Sequence, residues 1–246
     1  MTLEEASDKL FTPIDQKINA EKLDDVNFED LWYSFIHTAR RTHSSDVNKH
    51  AALCDLVDAF KTHSIPGNEK YNYLYSLMTG FGMCRREAYN DAPVPGVSFD
   101  IEVTAWTNLN YFYALLAGRE VSDLSRYFAI WAMREALERP YSDGDDATAV
   151  QKYETHVPAA AAWIFGAFRV LYNKEEDLTP TDDTQGDPAR GGELWRGKSE
   201  FSKERWDFWK ERFAQVGKMD GINENTKNVA RDAVNAMERA ATFEKI

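Results

Sequence analysis

Cysteine is nearly missing from this chain of 246 residues: only Cys54 and Cys84 occur, and there is no Asn-x-Ser/Thr acceptor. A disulfide framework is excluded, at most one Cys54–Cys84 bridge could form, and both facts fit a reducing compartment. No apolar run approaches the about 20 residues that a membrane span requires. The opening Met1-Thr2-Leu3-Glu4-Glu5 lacks the basic start and apolar stretch of a signal peptide, so a cytoplasmic protein is expected. Positive charge is also scarce, with 29 Lys and Arg against 41 Asp and Glu and a net charge of -12. Such a surface repels phosphate backbones and anionic lipid, and the doublets Arg40-Arg41 and Arg85-Arg86 are too short to offset it. Neither nucleic acid nor a membrane is expected as a partner. Alternation of period two is nearly absent too, which points away from sheets and towards an all-α fold.

What the chain does have is aromatic residues at helical spacing. Its 14 Phe, 11 Tyr and 7 Trp, within a hydrophobic share of 43%, provide ample material for a core. Asn27 caps a helix whose face carries Phe28, Leu31, Trp32, Phe35 and Ile36 and which runs towards Arg41. Further helices are predicted at 45–63, 69–89, 98–118 and 122–139, punctuated by Pro66-Gly67, Pro93-Val94-Pro95-Gly96 and Pro140. The stretch 148–173 is nearly apolar around Ala159-Ala160-Ala161-Ala162-Trp163-Ile164-Phe165, so it reads as a central helix that Pro158 opens or kinks. Near the end, Ser202 caps a helix in which Trp206, Trp209 and Phe213 share a face, with Phe201 and Trp206 in staple positions. A last helix over 225–243 keeps Val229, Ala233, Met237 and Ala240 on one stripe. Before these two helices, residues 174–192 turn to Glu, Asp, Thr, Pro and Gly. That connection far exceeds the usual length of about four to six residues and reads as a mobile loop or a lid.

Most chemical motifs fail on context. Gly80-Phe81-Gly82 has Arg85 where a dinucleotide loop needs its third glycine, and no strand precedes it. Gly192-Glu193-Leu194-Trp195-Arg196-Gly197-Lys198-Ser199 matches the Walker A pattern in its letters. A phosphate loop, however, needs a buried strand before it and a helix starting at its lysine, whereas Thr184-Gln185-Gly186-Asp187-Pro188 precedes it and the helix is capped only at Ser202. The histidines His37, His43, His50, His63 and His156 form no zinc spacing. The acidic runs Asp24-Asp25, Asp143-Gly144-Asp145-Asp146 and Asp182-Asp183 lie at element ends, where caps and turns account for them. There is no nucleophile elbow and no catalytic cysteine signature. No metal and no cofactor are expected.

What remains is polar residues set among aromatics. Asn108, Asn110 and Tyr113 stand beside Trp106, Tyr111 and Phe112; Arg134 and Glu135 follow Trp131; His156 precedes the helix of Trp163. Buried groups of this kind must be paired with one another, with water or with a ligand. One reading is a self-satisfied structural network. The other is a pocket for a small, largely apolar molecule, walled by Trp106, Trp131 and Trp163 and lined by Asn108, Asn110, Tyr113 and Arg134, in which Glu135 or His156 moves a proton.

Four segments carry a resemblance: Trp106-Thr107-Asn108-Leu109-Asn110; Trp131-Ala132-Met133-Arg134-Glu135-Ala136-Leu137-Glu138; Val157-Pro158-Ala159-Ala160-Ala161; and Leu194-Trp195-Arg196-Gly197-Lys198 with Phe201-Ser202-x-x-Arg205-Trp206-x-Phe208-Trp209-Lys210-x-Arg212-Phe213. Over most of its length, from about Phe28 to Met237, the chain resembles a large family of filamentous fungi known only as a domain of unknown function. The resemblance implies a helical intracellular protein, accounts for the Walker letters as part of the family's Trp-x-Gly-Lys segment, and brings no catalytic residues. Members encoded beside secondary-metabolite genes favour small-molecule chemistry. The expectation is therefore a single all-α domain over 1–246, a compact multi-helix body with a central apolar helix and a long acidic loop before the last two helices. It would bind a small apolar molecule. If it is an enzyme, it would be a cofactor-free acid/base isomerase, cyclase or dehydratase using Glu135 and His156, with Arg134 or Asn108 orienting a polar group. The rival expectation is a protein-protein interaction module that docks a partner through the Trp206/Trp209 face or the last helix.

Overall fold

Helix starts are set locally wherever a polar side chain can take the free amides of a first turn. A computed structural model, which describes residues 2–182, 184 and 186–243, shows this along the chain. The chain divides into two compact units at Ala92/Pro93. Helices dominate both, as the periodicity predicts. Among the described residues the strands are a pair of two-residue segments, β1 (Glu176–Asp177) and β2 (Glu200–Phe201), paired antiparallel.

The first unit comprises α1 (Leu3–Asn19), α2 (Phe28–Arg41), α3 (Val47–Thr62), α4 (Tyr73–Ser76) and α5 (Phe81–Asn90). Thr2 and Glu5 form a capping box on α1, and the side chains of Asn27 and Asp46 cap α2 and α3. The core is aromatic. Trp32 meets the rings of Phe60 and Phe81 at 4.7 Å each, and Phe60 meets Tyr75 at the same distance. The predicted helix over 69–89 is broken. Met78 and Gly80 adopt positive φ angles of 48° and 83°, and the indole of Trp32 donates to the Thr79 carbonyl at 2.7 Å. In a continuous helix that carbonyl would serve the amide four residues on. Gly80 permits the left-handed turn that frees it.

The second unit is built on α8 (Ala149–Asn173), against which α6 (Phe99–Gly118), α7 (Ile130–Leu137) and α10 (Glu224–Phe243) pack. Thr148 and Gln151 form the capping box of α8, and Val157 through Ile164 are buried without interruption. The central-helix expectation holds, with one correction. Pro158 does not open the helix, which starts nine residues earlier, and the non-helical backbone lies at Ala167 (φ -141°, ψ 18°). The cause is close packing of α6 and α8. A Cβ added at Gly118 would stand 2.2 Å from the Gly166 carbonyl oxygen, and one at Gly166 would stand 2.6 Å from Ala114 Cβ. The region predicted as one helix over 122–139 begins instead as a π-helical turn (Ser125–Ala129) that runs into α7. α9 (Lys203–Val216) carries the expected Ser202 cap. Trp206, Trp209 and Phe213 on its shared face are all buried. The staple expectation shifts by one turn: Phe201 packs edge-on to Trp209 at 6.4 Å, while Trp206 meets Tyr172 at 5.4 Å. Of the acidic pair Asp182-Asp183, Asp183 lies outside the described residues.

The backbone contact between α6 and α8 makes the small residues decisive. Gly118→Ala is expected to destabilise the protein by about 1–3 kcal/mol through overpacking against the Gly166 carbonyl. Thermal denaturation checks this; an unchanged midpoint would mean that the two helices separate at no cost.

Candidate functional site

Arg205 lies in the first turn of α9, and Glu138 follows the last residue of α7; both side chains are fully buried. Arg205 donates from Nε to Glu138 Oε1 at 2.8 Å and from Nη2 to Oε2 at 3.0 Å, a bidentate pair. The remaining capacity is also used. Trp209 Nε1 donates to Oε1 at 2.6 Å, and the Gly192 amide donates to Oε2 at 2.8 Å. Arg205 Nη1 reaches the carbonyls of Ala189 and Glu200 at 3.2 and 2.8 Å. Glu138 and Arg205 stand in the segments that carry the family resemblance, but nothing in their spacing announces a pair. Composition offered one signal: a charged residue at the end of an apolar helix and another inside a tryptophan-rich one.

The Walker-like letters serve packing. Gly191 and Gly197 lie against Trp195, whose ring a Cβ at either position would approach within 2.4 and 2.2 Å. Trp195 donates from Nε1 to the Lys198 carbonyl at 2.9 Å, and Lys198 pairs with Asp177 at 3.1 Å. That ion pair pushes the Lys198 ammonium up and, with hydrogen bonds from Thr179 as the largest cause, holds Asp177 down at about 2.

Beside this anchor lies an open groove of about 580 Å³, lined by Trp131, Arg134, Gly186, Asp187, Pro188 and Arg190. Its floor is α7. The π-turn brings Tyr127 to stack on Trp131, with ring centroids 6.1 Å apart, and places Phe128 edge-on to it at 5.2 Å. Its far wall is the 186–190 segment. The Pro188 carbonyl accepts from Trp131 Nε1 at 2.7 Å and from Arg134 Nη1 at 3.2 Å, while the Arg190 carbonyl accepts from Arg134 Nη1 at 3.0 Å. The inner part of the segment read as a loop or lid is thus tied to α7 and α9. Two polar atoms of the groove residues are buried without hydrogen-bond partners, Arg134 Nε and Asp187 Oδ1. The other Asp187 oxygen accepts from Ser199 at 2.5 Å. Burial, and the nearby charges of Arg139 and Arg190, press the Arg134 guanidinium towards losing its proton, against the opposing pull of Glu135 and Glu138.

The other residues singled out from the sequence separate. Asn110 accepts from Trp163 Nε1 at 2.9 Å and donates to the Trp106 carbonyl at 3.0 Å, which joins α6 to α8 and leaves Trp106 and Trp163 enclosed. Tyr113 packs on Phe128 at 5.7 Å, and Asn108 is buried on the same helix. His156 is stacked on Tyr141 at 5.9 Å and lies edge-on to Trp106 at 5.7 Å, with its Nδ1 buried and unpartnered. Burial, with Arg139 as a lesser cause, lowers it to about 4. Glu135 pairs with Arg139 at 3.1 Å and stands 3.6 Å from Arg134 Nε, while its carbonyl accepts from Tyr141 at 2.5 Å. Glu135 and His156 therefore both meet Tyr141, whose hydroxyl burial pushes upward, but neither lines the groove. Among the described residues no three His, Cys, Asp or Glu side chains gather where they could hold a metal ion, and no helix is long and apolar enough to cross a membrane.

Two outcomes follow. Arg205→Met strands a buried carboxylate and should cost about 3–5 kcal/mol, whereas Glu138→Leu/Arg205→Met should cost less than the sum of its parts. Chemical denaturation of the full cycle reads this, and strict additivity would remove the pair from the fold's energetics. His156, lowered from an unfolded value of about 6.5, binds its proton more readily in the unfolded chain. Stability is therefore full above about pH 6.5 and falls as pH drops through the window down to about 4. His156→Gln should flatten that part of the profile; a profile unaltered by the substitution would contradict the assignment.

No curated protein and no solved structure matches the chain. A family model described as a protein of unknown function matches residues 32–213, most of both the tryptophan-rich α9 and the helices that carry the groove. On that match, the chain belongs to the DUF3632 family.

Proposed function

We propose that this protein binds a small, largely apolar molecule in the groove between α7 and the 186–190 segment, within the secondary metabolism of a filamentous fungus. The observation that carries the reading is an aromatic wall, Trp131, whose orientation is fixed by its hydrogen bond to Pro188, beside two buried polar atoms that the protein itself leaves unsatisfied. Leaving such groups unpaired costs about 1–3 kcal/mol each, which a bound ligand would recover. Binding is favoured over catalysis. The carboxylate of Glu135 is engaged by Arg139 and His156 is enclosed by Tyr141 and Trp106, and neither is among the described residues that line the groove. The interaction-module alternative has less support, because the Trp206/Trp209 face it would use is covered within the second unit.

A screen of aromatic fragments by ligand-detected NMR tests the proposal. Binders should shift the Trp131 indole resonance and the Gly186 amide, and Trp131→Ala should abolish their signal. Fragments that bind only elsewhere, or that bind Trp131→Ala equally well, would defeat it.

A further inference from the structure

The groove's unused chemistry narrows what it would hold, an inference that rests on the small-molecule reading above. Its polar atoms fall into those spent on the protein and those left over. Spent are the Trp131 indole N–H, Arg134 Nη1 and Asp187 Oδ2, which bond to Pro188, to Pro188 and Arg190, and to Ser199. Left over are a cationic donor, Arg134 Nε, and an anionic acceptor, Asp187 Oδ1. The nearest carboxylate to that Nε, Glu135 Oε1, stands 3.6 Å away, beyond hydrogen-bond reach. The exposed Arg190 adds a second cation on the same rim. Among the described groove residues there are two guanidinium groups and one carboxylate, with the Glu135 carboxylate close behind Arg134, in a chain whose net charge is -12. The exposed Arg190 guanidinium favours an anion, while the Asp187 oxygen without a hydrogen-bond partner suits a donor on the same ligand.

We infer that the groove takes a planar hydroxyaromatic acid: its carboxylate at Arg134 and Arg190, its hydroxyl donating to Asp187 Oδ1, and its ring on Trp131. Burial is the main cause that weighs against the Arg134 charge, with Arg139 and Arg190 as lesser ones opposed by Glu135 and Glu138, and a bound carboxylate would add to that opposing pull. The aspartate supplies selectivity. A site with a buried acceptor rejects the analogue lacking the matching hydroxyl, because that acceptor is then left unpaired. No covalent step is involved.

Titration of the full chain with 3-hydroxybenzoate, benzoate and benzyl alcohol, followed by calorimetry and by amide and indole NMR shifts, tests the inference. The hydroxy acid should bind about tenfold tighter than benzyl alcohol and several-fold tighter than benzoate. Asp187→Asn, which replaces the charged acceptor by a neutral amide, should narrow the gap between the two acids. Arg190→Ala, a change on an exposed side chain, should weaken both acids and leave benzyl alcohol unchanged, which keeps the test open should Asp187→Asn disturb the Ser199 contact. Equal affinity for all three, or binding of the neutral alcohol alone at Trp131, overturns the ligand class and leaves the small-molecule reading standing. If none of the three perturbs the groove while other fragments do, the class again falls alone; if no aromatic of any charge perturbs it, both fall.

Discussion

The second unit depends on one buried ion pair. Removing a carboxylate and a guanidinium from water costs several kcal/mol per ion, and the attraction between them offsets this only when geometry and additional hydrogen bonds are complete. Here they are: the Glu138 carboxylate accepts four hydrogen bonds, from Arg205 twice, from Trp209 and from Gly192. Because those donors come from α9 and from the connection that precedes it, the end of α7, the first turns of α9 and the 189–200 stretch meet at one point. Arg212 extends the attachment by donating to the Leu137 carbonyl at 2.9 Å. A glycine is needed at 192 for the same reason, since a Cβ there would sit 2.5 Å from the Glu138 carbonyl oxygen.

How much of this was legible in the sequence depends on how far apart the causes lie. Asn27 and Ser202 cap their helices through amides three residues on, so each could be read from its immediate neighbours. The break before α5 could not, because the group that takes the Thr79 carbonyl is Trp32, 47 positions away. The same holds for Ala167, whose departure from helical geometry answers to Gly118 on another helix, and for Glu138 and Arg205, which are 67 positions apart. Periodicity marks a face as buried. It does not say which buried polar group that face will meet.

The candidate site divides along the same line. Trp131 and Arg134 lie one turn apart on α7, where an aromatic and a cation in an apolar context could be recognised. Their partners in the groove, Asp187, Pro188 and Arg190, come from a stretch without periodicity, and loop composition alone gives no account of which carbonyl faces which helix. The polar residues set among aromatics differ in how far the protein pairs them. Asn110 with Trp163 and Glu138 with Arg205 are satisfied within the protein, whereas Arg134 Nε and Asp187 Oδ1 are not.

The anchor and the groove are mechanically one feature. Ala189, fully buried, offers its carbonyl to Arg205, while its neighbour Pro188 offers its own to Trp131 and Arg134. Adjacent peptide groups of the same segment are thus held by different helices, α9 and α7. Segments that line binding sites are commonly drawn from the least stable parts of a fold, and ordering them on binding reduces affinity. Here the ordering has been done during folding. The desolvation of Glu138 and Arg205 is then a cost whose return is positional: it sets the wall of the groove. Arg134 divides its guanidinium accordingly, with Nη1 holding the wall in place and Nε without a hydrogen-bond partner, 3.6 Å from the Glu135 carboxylate.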